Sequence, residues 1–165
     1  IQLQPHSVYL SFTSDVKVGV TRKSQVPTRW IDQGAIEAIE IAELPNRYLA
    51  GICEIELKKY FKDKTNWRTM LTTNKSNVDL SIKKNECYSI LPEEAKNYFL
   101  SKSKTLKINY PISNEIITPK SLNIKKTKTF SGKLIGIKGQ YLIFEDSTVF
   151  NVRSNEGLVV GINID

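Results

Sequence analysis

VYLSFTSDVKVGVTRKSQVPTRW, residues 8–30, sets two β-rich runs, a basic loop and a helix start in one short stretch. The runs Val8-Tyr9-Leu10 and Val16-Lys17-Val18-Gly19-Val20-Thr21 are separated by the polar turn Thr13-Ser14-Asp15. That pattern predicts a hairpin with strands over 7–12 and 16–21. Gly19 inside the second run marks a kink or a close approach to the backbone. After the basic loop Arg22-Lys23-Ser24-Gln25, Pro27 suits a first helical position, and Gly34 stops the short helix that includes Arg29 and Gln33.

Outward from this stretch, residues 38–44 alternate as a third strand, which Pro45 ends. Asn46 is a good N-cap for a helix over 47–62, in which Leu49, Ile52, Cys53, Leu57 and Tyr60 recur at helical spacing. Strand, strand, helix, strand, helix over residues 1–72 is a small α/β unit. Residues 66–80 turn polar and wrap the core, and Pro92-Glu93-Glu94 opens a helix over 91–100, so 73–105 is a helical connector. Strand-like runs follow at 106–110, 121–124, 129–136, 140–145, 149–153 and 158–164. Turns at Lys138-Gly139, Glu145-Asp146-Ser147 and Glu156-Gly157 separate the last of them, which predicts a small β-barrel of SH3 or OB type over 106–165. The expected class is α+β.

The 165 residues, 40% apolar and 25% charged, are those of a soluble globular chain with one ordinary domain or two small ones. No run approaches the roughly 20 apolar residues of a membrane span, and IQLQPHSVYL is no signal peptide, so the cytoplasm is the expected compartment. Cys53 and Cys87 make no zinc site by themselves; free buried thiols are expected, with a disulfide as the alternative. The net charge of +7 favours a polyanion partner. Lys58, Lys59, Lys62, Lys64 and Arg68 crowd one segment, and residues 120–138 hold six lysines and no acid. Counterion release makes such clusters a footprint of nucleic-acid binding, although a solvated lysine-rich face has the same composition. In the last third, Tyr141, Phe144 and Phe150 suit either base stacking or a core.

Ser7-Val8-Tyr9 and Lys17-Val18-Gly19, with Arg29 on the following helix, resemble the paired triplets and helix arginine of the GIY-YIG nuclease superfamily. Glu54, followed by Leu57-Lys58-Lys59-Tyr60 and then Asn66, resembles that superfamily's metal-holding glutamate, apolar-basic segment and asparagine. The resemblance covers about the first seventy residues and departs from the pattern at Ser7, a glycine in the superfamily, and at Lys17, a tyrosine. It implies a β-β-α-β-α domain acting as a metal-dependent phosphodiesterase or endonuclease. Its catalytic residues would be Tyr9, Lys17, Arg29 and Glu54. Glu54 would hold magnesium or manganese, mostly hydrated, and Arg29 would clamp the scissile phosphate. Tyr9 would position or deprotonate the attacking water, a base role that needs a much lowered pKa. Arg22, Lys23, Lys58, Lys59, Asn66 and Arg68 would bind nucleic acid, DNA or RNA. Gln33 stands where some members have a catalytic histidine, and His6 is given no role.

Each residue also has a plainer use: Tyr9 as a core aromatic, Glu54 in an ion pair with Lys58 four residues on, Arg29 as a stack or cap. With those uses the unit is an inactive nucleic-acid-binding module or a scaffold. The chain is still more similar to an uncharacterised bacterial family whose full-length members carry a cysteine-rich, zinc-ribbon-like N-terminal segment. A start at Ile1 fits a fragment whose partner would be that segment.

Overall fold

In a computed structural model, which describes residues 2–61 and 64–164, the hairpin forms as β1 (His6–Phe12) and β2 (Val16–Arg22). The strands pair antiparallel and set Tyr9 opposite Gly19. The helix start is α1 (Thr28–Asp32), and β3 (Glu37–Leu44) pairs with the other edge of β1. Along β3 the register shifts, Val8 facing Ala42 and Tyr9 facing Glu40, which leaves Ile41 as the extra residue of a bulge. Flanked on both edges, β1 is buried along its whole length.

Helix α2 (Arg47–Leu57) starts where Asn46 accepts a bond from the Leu49 amide at 2.9 Å, and it buries Ala50, Cys53 and Leu57 against β1 and β2. It is shorter than the expected 47–62; Lys62 lies outside the described residues. Helices α3 (Trp67–Thr72), α4 (Leu80–Ile90) and α5 (Glu93–Lys96) follow, and α4 packs on β3 and β1. The strand expected at 106–110 forms as β4 (Leu106–Lys107) and pairs with β3, giving the first sheet the order β2-β1-β3-β4. Cys53 and Cys87 are free and buried.

No helix was expected over α4, because its buried stripe is Leu80, Lys84 and Cys87. A lysine in the middle hides the apolar period. Lys84 is 2% exposed, and its ammonium donates to the Ser103 hydroxyl at 2.8 Å and to the carbonyls of Ser101 and Ser103 at 3.1 and 3.4 Å. A buried cation is tolerable when it is hydrogen-bonded in this way.

The chain divides into two compact units, Ile1–Asn109 and Tyr110–Asp165. The second holds β5 (Lys120–Ser121), β6 (Leu134–Lys138), β7 (Tyr141–Phe144) and β8 (Thr148–Asn151) in the order β5-β8-β7-β6. This corrects the expected barrel: among the described residues the sheet stays open, with β5 and β6 at its ends. The Gly139 and Ser147 turns, both at positive φ, fold β6, β7 and β8 into a meander over the buried Ile143 and Val149. The apolar run at 158–164 joins no strand and leaves Val159, Ile162 and Ile164 exposed, so the closing strand is missing. Among the described residues no helix is long and apolar enough to cross a membrane.

Candidate functional site

Tyr9 is the centre of the candidate site. Its ring crosses over Gly19 so closely that a Cβ at Gly19 would stand 2.6 Å from both Cζ and Oη. Glycine is there because any other side chain would occupy the space of the tyrosine. The ring packs beside Trp30 with centroids 5.6 Å apart, in a cluster with Ala35 and Ala38. Its hydroxyl donates to Gln33 Oε1 at 3.1 Å. Gln33 lies four residues after Arg29, so the same side of α1 presents both side chains.

The Arg29 charge bears on Tyr9 and on Lys17, and the Glu54 charge bears on Tyr9. Side chains from β1, β2, α1 and α2 are thus gathered around one phenol. The pKa lowering that a tyrosine base needs is absent. Burial pushes Tyr9 up to about 12 and Glu54 adds to the rise, while Arg29 and the Gln33 bond oppose it. Tyr9 keeps its proton, which corrects the expected route to a base. Lys17 shifts the other way, to about 8, chiefly through burial, with the Arg29 charge adding. Its Nζ donates to Thr65 Oγ1 at 2.7 Å, and that hydroxyl lies 3.3 Å from Thr13 Oγ1.

Glu54 is held between two cations, Oε2 at 3.3 Å from Arg47 Nη2 and Oε1 at 3.4 Å from Lys58 Nζ. The Lys58 pair is the i,i+4 contact foreseen as the plainer use of Glu54. Arg47, two helical turns earlier on the same helix, was not singled out; its seven-residue spacing from Glu54 was the available signal. Among the described residues no three metal-ligating side chains gather. What remains is a single carboxylate for magnesium or manganese. Both contacts are longer than the 2.7–2.9 Å or so of close charge-assisted bonds, and a hydrated magnesium needs only one or two carboxylates. Glu54 therefore suits such a cation once one of its partners turns aside.

The residues expected to bind nucleic acid are scattered. Arg22 is exposed at the end of β2. Lys23 is bound to Glu40 at 2.7 Å and to Glu43 at 3.0 Å. Burial works to lower its pKa, but the two carboxylates outweigh it and leave the value raised. Lys59 pairs with Glu56 at 2.6 Å. Asn66 caps α3, accepting from the Arg68 and Thr69 amides, and the Arg68 guanidinium lies 4.2 Å above the Trp67 ring. Only Lys58 is brought to the Tyr9 pocket, through Glu54.

No curated protein and no solved structure matches the chain. A family model does match, over residues 1–160, and the chain belongs to that family, DUF2797, proteins of unknown function.

Proposed function

We propose that the first unit binds a phosphodiester of nucleic acid at the Tyr9 pocket and hydrolyses it, as an endonuclease of GIY-YIG type acting in the cytoplasm. The observation that carries this is the gathering of Tyr9, Lys17, Arg29 and Glu54, from four separate elements, about one phenol seated over a glycine. In the reaction Arg29 grips the phosphate oxygens with its planar, permanently charged fork. Tyr9 keeps its proton, and its hydroxyl fixes Gln33 at the floor of the pocket. Lys17, drawn down to about 8, is the side chain that takes a proton from water near neutral pH. Glu54 would hold magnesium or manganese, which when bound neutralises phosphoryl charge and supports the leaving oxygen. A cysteine-rich N-terminal segment of the same protein is the partner that the sequence resemblance adds.

A second reading, a module that binds nucleic acid without cutting it, has its own observation: both Glu54 oxygens already face cations. One experiment separates the two. Labelled single- and double-stranded DNA and RNA are incubated with the chain, with magnesium or manganese, beside Glu54→Ala and Arg29→Ala. Hydrolysis lost in both variants is expected. Binding with steep salt dependence and no cleavage by the wild type establishes the second reading, and cleavage that survives Glu54→Ala refutes the first.

A further inference from the structure

Beside the first turn of α2 a cleft of about 360 Å³ is walled by Gln2, His6, Val20, Thr21, Arg22 and Arg47. Two guanidiniums and an imidazole meet there, and no carboxylate lines it. His6, the one histidine of the chain, is 4% exposed. Its Nδ1 donates to the Gln4 carbonyl at 2.7 Å, so Nε2 is the ring nitrogen left for the cleft. Arg22 is engaged by no ion pair among the described residues. Arg47 is anchored through its backbone amide to the Gln2 carbonyl at 2.8 Å, which leaves its long side chain to choose a partner. At present that partner is Glu54, at 3.3 Å, and the guanidinium lies along Gly51, where an added Cβ would stand 3.0 Å from Nη1.

The cleft therefore shares an arginine with the Tyr9 pocket. It also shares β2, because Thr21 and Gly19 are two residues apart and point to the same face. A strand of nucleic acid whose scissile phosphate sits at Tyr9 has further phosphates to place, and a wall of two arginine forks with a threonine hydroxyl suits one of them. We propose that the His6–Arg22–Arg47 cleft is a second phosphate subsite for the same strand, and that a phosphate seated there draws Arg47 off Glu54 and frees the carboxylate for a divalent cation. The proposal rests on the endonuclease reading and adds an order of events. Substrate comes first and the metal second, so the pocket without nucleic acid stays closed to metal by its own arginine.

The test uses the full chain with Arg22→Ala, Arg47→Ala and Arg29→Ala, each checked for folding by circular dichroism. Binding of a short labelled single-stranded DNA is followed by fluorescence anisotropy without divalent metal, and manganese binding is followed by electron paramagnetic resonance without nucleic acid. Arg22→Ala and Arg47→Ala are each expected to weaken DNA binding by about tenfold, the loss of a charge-assisted contact. Each should also reduce the salt slope by about 1. Arg47→Ala should bind manganese several-fold more tightly than the wild type, an effect that Glu54→Ala in the same chain abolishes. If Arg22→Ala and Arg47→Ala bind DNA as the wild type does while Arg29→Ala is weakened, the cleft is no subsite, and the Tyr9 reading stands without it. If all three bind as the wild type does, both fall. Manganese binding that Arg47→Ala does not raise overturns the exchange at Glu54.

Discussion

Gly19→Ala is the substitution whose sign depends on Tyr9. On backbone grounds alone it should help. Gly19 sits in an ordinary strand pairing, and alanine there restricts the unfolded chain, a gain of about 0.4–1 kcal/mol. The new Cβ, however, would stand 2.6 Å from Tyr9 Cζ and Oη and about 3.0 Å from Cε2, well inside contact distance. The ring has no room to retreat, since it is fully buried and packed against Trp30. Overpacking of that kind costs about 1–3 kcal/mol. A displaced hydroxyl also loses its bond to Gln33, worth about 0.5–1.5 kcal/mol. The net expectation is destabilisation by about 1–3 kcal/mol. Urea unfolding followed by tryptophan fluorescence measures it, because Trp30 and Trp67 both belong to the first unit. The control is the same substitution in a Tyr9→Ala background. With the ring gone, Gly19→Ala should become neutral or stabilising. A stabilising Gly19→Ala in the wild-type chain, or an equal cost in both backgrounds, refutes the claim that Tyr9 dictates the glycine.

Lys17 predicts a pH dependence. Its folded value near 8 lies below the ordinary 10.5, so the unfolded chain binds that proton more tightly and stability rises as pH climbs through 8 toward 10.5. Between pH of about 7 and about 9.5 this amounts to a gain of the order of 2 kcal/mol, which Lys17→Met removes. Cys53 and Cys87, pushed by burial up to about 11 and about 12, act in both chains and cancel in the difference. A variant that keeps the wild-type slope would show that Lys17 is not desolvated. Lys84→Ala should lower stability by about 2–4 kcal/mol in the same unfolding assay, since it leaves a cavity and deprives the Ser101 and Ser103 carbonyls of their donor. A cost below about 0.5 kcal/mol would mean that the buried ammonium is no tether between α4 and the segment after α5.

The first unit was largely legible in the sequence up to Leu57, and for a local reason. The hairpin, its Ser/Asp turn, the Asn46 cap and the apolar period of α2 are all encoded by neighbours within a few residues. α4 was missed because what makes its buried face acceptable is distant: Lys84 finds its acceptors at residues 101 and 103. The second sheet failed for the converse reason. Its apolar, β-branched runs look alike, and nothing local tells a run that pairs, such as 148–151, from one that does not, such as 158–164. Lys23 likewise reads as a free basic residue until β3 folds Glu40 and Glu43 beside it.

The chemistry of the site was legible as a set of residues and not as a set of proton affinities. A tyrosine triplet followed by Lys17 invites the expectation that nearby positive charge frees the phenolic proton. Burial decides otherwise, since Tyr9 is enclosed by Trp30, Ala35 and Ala38, and the cost of charging a phenol there exceeds what Arg29 returns. The same desolvation acts on Lys17 with the opposite consequence, because for an amine the neutral form is the one favoured. Placing a lysine where the superfamily has a tyrosine therefore transfers the readily lost proton from one side chain to the other. Within the proposed hydrolysis, Tyr9 serves as the fixed floor, and the pH profile of cleavage should follow Lys17.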